Sequence, residues 1–264
     1  MSARSALPAI ATAAAAVLLI GCTSTEPSAS GGPDISLVKS GKLTTCTHLP
    51  YPPFQSRQGK KIVGFDVDLV DLVASELKVK QEIVDTPFEG IQSGEDLNTS
   101  TCDVAAAGMT ITAVREKNLD FSRPYFEATQ ALLTRKGKPY RTLADLKGKR
   151  LAVQQGTTGE TYAQKRAVGA TLVQFEDLGL LVSAVKTGQV AAGINDNGVL
   201  YDFVKDNPDT EVTAEFSTGE KYGIAVRTGN DALRKKINQV LADAKKDGRY
   251  DTIYRKWFGT APSS

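Results

Sequence analysis

Past residue 40, short apolar runs alternate with longer segments whose apolar positions recur at helical spacing. Leu43 to Thr47 reads as a short strand, and Ile62 and Val63 as another. Phe65, Val67, Leu69, Val70, Leu72, Val73 and Leu77 then follow the spacing of one helix face. Asp66, Asp68 and Asp71 lie in its N-terminal half, where the helix dipole favours negative charge. Strands are predicted at Gln81 to Val84 and, with small buried residues, at Val104 to Ala107. Ala128 to Thr134 is extended and is broken by Lys136-Gly137-Lys138-Pro139. A second series follows, with strands at Leu151 to Gln154, Thr171 to Phe175, Ala191 to Ile194, Glu211 to Thr213 and Gly223 to Val226. Helices are predicted from near Thr158, over Leu178 to Thr187, and through Leu200, Phe203 and Val204. Leu233, Ile237, Val240, Leu241 and Ala244 line one face of a strong later helix, with Asn230 or Asp231 as its cap, and Tyr250 to Trp257 forms a last short one. Alternating strands and helices imply α/β layers with mainly parallel sheets, and two such series predict two lobes.

The N-terminus breaks this pattern. Ala6 to Ile20 is an apolar stretch of 15 residues behind Arg4. A membrane span needs about 20, so the stretch suits the core of a signal peptide. It ends in Leu19-Ile20-Gly21-Cys22, which resembles the lipobox of bacterial lipoproteins, where cleavage precedes the Cys and the thiol is lipidated. A plain secretory signal with a chance Cys is the alternative. Residues 23–33 are small and polar and read as a flexible tether. The expectation is a signal peptide over 1–21, a tether over 22–36, and a globular part outside the cytoplasm, held at the membrane through Cys22. In that compartment Cys46 and Cys102 form an even pair and a disulfide is expected, the alternative being two buried free thiols.

Composition narrows the function classes. Of 264 residues 41% are apolar, enough for a sizeable core, and the formal net charge is only +2. That balance excludes a polyanion binder driven by bulk charge, and no nucleic-acid partner is expected. The single histidine, His48, makes a His-based zinc site hard to build, and a Ser-His-Asp enzyme would have to use it. Nucleophile-elbow, zincin and phosphate-loop motifs are missing; Gly156-Thr157-Thr158-Gly159 lacks the lysine a phosphate loop needs. No cofactor and no metal are expected.

The most informative segment runs from Cys102 through Gly108-Met109-Thr110-Ile111-Thr112 to Arg115. A buried strand enters a glycine turn and then a helix start carrying an arginine. Backbone N–H groups and a threonine hydroxyl there can hold an anion, and Arg115 can grip a carboxylate through two bonds. By spacing alone, a solvated Arg115 paired with Glu116 or Asp120 fits as well.

With Leu119-Asp120-Phe121-Ser122-Arg123-Pro124-Tyr125 this segment resembles the signature of the bacterial extracellular solute-binding proteins, family 3. Three further stretches agree: Pro50-Tyr51-Pro52-Pro53-Phe54 before Gly64-Phe65-Asp66-Val67-Asp68-Leu69; Leu146 to Thr158; and Tyr222-Gly223-Ile224-Ala225-Val226 leading to Trp257-Phe258-Gly259. The resemblance covers roughly residues 37 to 259. It implies a two-lobed periplasmic-binding-protein fold with two sheets joined by a two-strand hinge. Lobe 1 would be 37–130 and 222–260, and lobe 2 would be 131–221. The crossings would fall near Ala128 to Leu132 and Lys221 to Gly223.

The resemblance also implies a ligand, a free amino acid, and places its contacts. Arg115 would hold the α-carboxylate with the N–H of Thr110 and the N–H and hydroxyl of Thr158. Asp196 and the Gly108 carbonyl would take the α-ammonium, and Tyr51 and Phe88 would flank the side chain. Several relatives carry Asp where this chain has His48, which removes a fixed negative charge; with the neutral Gln154 this favours a polar side chain, amide-bearing or acidic. Glu89 is expected to be solvated, and Phe54 and Phe65 to be core. The function implied is capture by lobe closure and delivery to the permease of an ABC transporter, by a monomer. Two rivals are a dehydratase-like enzyme on the same scaffold and a sensing subunit for a membrane receptor.

Overall fold

The computed structural model describes residues 35–260 and 262. The expected signal peptide, the lipidated Cys22 and all of the expected tether before residue 35 lie outside the described residues. In chain order the elements are β1 (Lys42–Thr47), β2 (Ser56–Gln58), β3 (Lys61–Val63), α1 (Phe65–Glu76), β4 (Lys80–Asp85), α2 (Phe88–Ser93), α3 (Glu95–Asn98), β5 (Val104–Ala105), β6 (Leu119–Phe121) and β7 (Phe126–Arg135). There follow β8 (Arg150–Gln154), α4 (Thr158–Arg166), β9 (Thr171–Phe175), α5 (Leu178–Thr187), β10 (Ala192–Asp196), α6 (Asn197–Asp206), β11 (Thr210–Tyr222), β12 (Ala225–Arg227), α7 (Asp231–Lys246) and α8 (Arg249–Phe258).

Two five-stranded sheets result, in the orders β4-β1-β5-β12-β6 and β11-β7-β10-β8-β9. The β1–β4, β1–β5, β8–β9 and β8–β10 pairs are parallel, as βα alternation requires. The remaining pairs are antiparallel and belong to the strands that leave or re-enter a sheet. β7 and β11 run side by side from Phe126 against Tyr222 to Arg135 against Thr210. They are the two strands on which the chain passes between the sheets, so the fold is two-lobed.

Local sequence explains where the elements stop. α5 is capped by Asp177, whose carboxylate accepts the Leu180 N–H at 2.8 Å, and it ends at Gly188 with φ of 78°. α7 buries the stripe Leu233, Ile237, Val240, Leu241 and Ala244 that its spacing predicts. Each larger member of that stripe contributes about 1.5–3 kcal/mol by leaving water. α8 then returns to the hinge, where Phe258 lies 5.6 Å from Phe54 and 5.2 Å from Phe65 between ring centroids. Phe54 and Phe65 are fully buried core residues.

Three segments differ from the pattern-based expectation. β5 ends at Ala105 and not at Ala107, because Gly108 turns the chain at φ of 57° and gives its N–H to Asp66 instead of a neighbouring strand. β11 extends from Thr210 to Tyr222, far beyond Glu211 to Thr213. It is an edge strand, so its polar face is solvated and the apolar signal is weak. Arg115 opens a short 3-10 turn over Arg115–Lys117 and not a longer helix, since β6 begins at Leu119.

Candidate functional site

A partly open cavity lies between the two sheets. It is lined by His48, Tyr51, Gln55, Phe88, Gly108, Thr110 and Arg115 from the first series and by Gln154, Thr157, Thr158 and Asp196 from the second. All nine residues assigned to the ligand by resemblance are therefore brought to one place.

The cationic side of the cavity is built on Arg115, which is 5% exposed. Its guanidinium donates to the Thr110 carbonyl at 2.6 Å and, across the cleft, to the Gly156 carbonyl at 3.0 Å. Its Cζ stands 5.3 Å from the centroid of Phe88, so that ring carries the cation as well as walling the cavity. Neither backbone carbonyl carries a charge to balance it, and burial pulls its pKa down. A cation in that condition favours an anionic ligand. Thr110 is bridged to Tyr222 through the N–H groups of Ile111 and Gly223. Its own N–H therefore points away from that strand. The α4 N-terminus adds a second source of free N–H groups. Thr157 caps it by accepting from the Glu160 N–H at 3.1 Å, and Glu160 returns to the Gly156 N–H at 2.8 Å.

The Thr158 hydroxyl donates to Glu220 Oε2 at 2.7 Å, as does the Thr110 hydroxyl at 2.7 Å. The two hydroxyls thus meet on one acid, from the two sides of the cavity. Glu220 sits on β11, 8% exposed, in a stretch whose polarity reads as surface, so nothing in the pattern singles it out.

The anionic side is Asp196, at the end of β10 and 5% exposed. Its Oδ2 accepts from the Tyr222 hydroxyl and lies 2.9 Å from the Tyr51 hydroxyl. Its Oδ1 accepts from Gln130 Nε2. A carboxylate has about four acceptor sites, so one remains on Oδ1 for a further donor. Burial, with the charge of Glu220 adding to it, pushes Asp196 up to about 7, against the three hydrogen bonds. Tyr51 thus clamps Asp196 in addition to walling the cavity. Gly108, whose carbonyl was placed beside the ammonium, must be glycine: a Cβ there would lie 2.8 Å from Tyr51 Cε1. Its N–H donates to Asp66 Oδ2 at 2.7 Å, and Tyr125 donates to Oδ1 at 2.8 Å. Burial raises Asp66 to about 7 despite both bonds.

The other polar side chains at the cavity include Gln154, His48 and Gln55. Gln154 is buried with both ends paired, its Oε1 accepting from Asn195 Nδ2 at 3.0 Å and its Nε2 reaching the Glu176 carbonyl at 3.4 Å. His48 Nδ1 lies 3.0 Å from the Thr86 carbonyl, and Gln55 Nε2 donates to the His48 carbonyl at 3.3 Å. Glu89 is exposed, as expected. Sequence reasoning missed Gln55, Gln130, Asn195 and Glu220. Gln130 and Asn195 carried a usable signal, a polar residue inside an otherwise apolar buried strand. Cys46 and Cys102 stand with their sulfurs at bonding distance and Cα atoms 5.6 Å apart. Among the described residues no group of His, Cys, Asp and Glu is arranged to hold a metal ion.

The model of the bacterial extracellular solute-binding proteins, family 3, matches residues 43–260. The chain belongs to this family. Among its relatives, a glutamine-binding protein of an ABC transporter in Bacillus subtilis is 36% identical over 211 residues, 77% of this chain and 75% of that protein. A protein named as a possible ABC transporter arginine-binding protein 2 in Escherichia coli is 32% identical over 233 residues, covering 86% of this chain and 95% of the other. A solved structure of an ancestral arginine-binding protein bound to glutamine superposes with a TM-score of 0.80 at 43% identity, over 84% of this chain and all of the other. These family 3 relatives are binding proteins and not enzymes, which sets the dehydratase-like rival aside.

Proposed function

We propose that this family 3 member captures a free amino acid between lobes 37–130 with 222–260 and 131–221, and delivers it to the permease of an ABC transporter. Two of the relatives named above are named as glutamine- or arginine-binding proteins of ABC transporters, and the ancestral arginine-binding protein is bound to glutamine. The observation that carries the reading is the pairing of Arg115 and Asp196 in one cavity, a buried cation hydrogen-bonded only to backbone carbonyls and a carboxylate with a free acceptor site. Together they match the two charges of a zwitterion. Arg115 and the N–H groups of Thr110 and Thr158 take the α-carboxylate, and Asp196 with the Gly108 carbonyl takes the α-ammonium. Tyr51, Phe88, Gln154 and His48 surround the side chain.

The two sets of residues sit on different lobes, so a ligand that touches both favours the shut cleft over the open one. The Arg115 bond to Gly156 crosses that cleft and supports the same motion. The protein acts as a monomer outside the cytoplasm, with residues 1–21 removed, Cys22 lipidated and Cys46 bonded to Cys102. The test is thermal unfolding with each of the twenty amino acids. Bound ligand at a hundred times its Kd stabilises by about 2.7 kcal/mol. No rise with any of them ends the reading. The anchor is tested separately, by release of the Cys22→Ser protein from the membrane fraction.

A further inference from the structure

β11 bulges just before it leaves its sheet. Its pairing with β7 passes from Phe216 against Gln130 to Glu220 against Ala128, so extra residues are taken up between them, where Gly219 has φ of 68°. Beyond the bulge the strand alternates again, with Glu220 and Tyr222 buried and Lys221 exposed between them. An acid therefore shares the inward face of β11 with the tyrosine that bonds Asp196.

Three donors reach this acid from three elements. Oε2 accepts the Thr110 hydroxyl at 2.7 Å, from the turn that follows β5 in one sheet. The same oxygen accepts the Thr158 hydroxyl at 2.7 Å, from the first residue of α4, which follows β8 in the other sheet. Oε1 accepts from Gln130 Nε2 on β7 at 3.0 Å. Thr110, Arg115 and Thr158 line both the cavity and an open groove beside it, whereas Glu220 lines the groove alone. The wall between cavity and groove is thus closed by the Arg115 bond to the Gly156 carbonyl and by the bridge Thr110–Glu220–Thr158.

The two arms of this bridge differ from the other contacts of the site. They use side-chain hydroxyls and leave the N–H groups of both threonines to a ligand. One carboxylate oxygen can hold both hydroxyls only while the turn after β5 and the start of α4 are close together. Parting the lobes breaks at least one arm, and a bond made only in the shut form favours that form. An ionised acceptor makes each arm stronger than a bond between neutral groups.

We infer that Glu220 is a positioning residue, a latch on the Arg115 side of the cavity that holds the cleft shut over a ligand it does not touch. This role rests on the amino-acid-binding reading and deepens it. Its signature is kinetic. The latch forms after the ligand has entered, so its loss speeds release and leaves entry nearly as it was. Damage to the cavity itself slows entry as well.

The experiment is stopped-flow binding and release of glutamine, of arginine, or of the first hit from the twenty-member screen. Glu220→Ala is expected to release at least about tenfold faster, with entry within about threefold of wild type. Glu220→Gln keeps an oxygen for both hydroxyls and gives up the Gln130 bond, so it should restore most of the slow release. Unchanged release in Glu220→Ala, a loss of affinity carried by entry, or a Gln variant as fast as the Ala variant overturns the latch and leaves the amino-acid reading standing. Should Glu220→Ala fail to fold, Thr110→Val and Thr158→Val decide, since each removes one arm and keeps its N–H. A bridge needs both arms, so the double variant should release within about twofold of the faster single one. Effects that multiply, or no effect, overturn the latch. A wild type that binds none of the twenty amino acids removes the parent reading, a result distinct from all of these.

Discussion

Asp196 and Glu220, buried carboxylates on β10 and β11, meet on one donor: Gln130 Nε2 bonds Asp196 Oδ1 and lies 3.0 Å from Glu220 Oε1. Gln130 stands on β7, the other strand that crosses between the lobes. The hinge is thus wired directly to the acid proposed to hold the ligand's ammonium. Glu220 reaches further, since it also accepts the hydroxyls of Thr110 and Thr158 from opposite sides of the cleft.

Affinity should depend on pH through Asp196. Free of ligand, its carboxyl is held up at about 7, mainly by burial. An ammonium beside it favours the ionised form, so the bound pKa is lower. Affinity is then flat above about 7 and falls as pH drops, by up to about tenfold per unit, until the bound pKa is reached. Binding at pH 6 correspondingly releases close to one proton, about 0.9 by the free pKa. Calorimetry in two buffers of different ionisation enthalpy measures this. A pH-independent Kd between 6 and 8, at roughly constant proton count, contradicts it.

Glu220→Gln tests the wiring. The neutral amide keeps a carbonyl for the hydroxyls of Thr110 and Thr158 but removes the charge that helps raise Asp196. The acid limb of the affinity profile should move to lower pH. Tight binding at pH 7.5 should change less than the profile does. An unmoved acid limb means that Glu220 acts on shape alone.

Much of this architecture was legible from spacing. α1, α5 and α7 follow from their apolar stripes, and the parallel half of each sheet follows from βα alternation. Arg115 and Asp196 were legible only as residues in a resembling motif, because a lone Arg near Glu116 reads equally well as surface. Glu220 was illegible for a physical reason. Edge strands are polar on one face, and a buried acid among exposed ones leaves no mark in the pattern. Gln55 was hidden in a non-repetitive loop, where periodicity carries no information about burial.

Stability of the ligand-free protein should fall as pH rises. Asp66 and Asp196 have folded pKa values near 7 against 3.8 for the ordinary group, so the folded state holds more protons between those limits. Their ionisation therefore removes stability as pH climbs from about 4 through about 7. In Asp66→Asn the side chain can still accept the Gly108 N–H and can donate to the Tyr125 hydroxyl. The variant should melt higher than wild type at pH 8, by about 2–4 °C per kcal/mol relieved, and show a shallower pH slope. Calorimetric scans at pH 5 and pH 8 measure both; an unchanged slope removes Asp66 from the account.

Cys46 and Cys102 are 56 residues apart in sequence and pack in the small core under β1, β5 and α2. A bond between them should contribute about 2–4 kcal/mol by restricting the unfolded chain. Thiol labelling of the unfolded protein should occur only after reduction. The double Ser variant should lose that stability in urea while its Kd stays within about twofold. Labelling without reductant shows free thiols instead.

Arg115→Ala is the sharpest test of the site. The side chain makes a bond within its own lobe to Thr110 and one across the cleft to Gly156, and it rests on Phe88. Its loss leaves a bound carboxylate buried without a cation. Each charged bond contributes about 1.5–3 kcal/mol net, so loss of a two-bond grip weakens Kd by at least a hundredfold. The fold should survive, because a buried cation with only carbonyl partners adds little net stability once its desolvation is counted. Arg115→Lys keeps the charge and loses the planar fork, so it should fall between the two. Calorimetry and urea unfolding of the same samples separate binding from folding. Near-native affinity in Arg115→Ala would remove Arg115 as the carboxylate anchor, and loss of affinity together with folding would leave the Lys variant to decide.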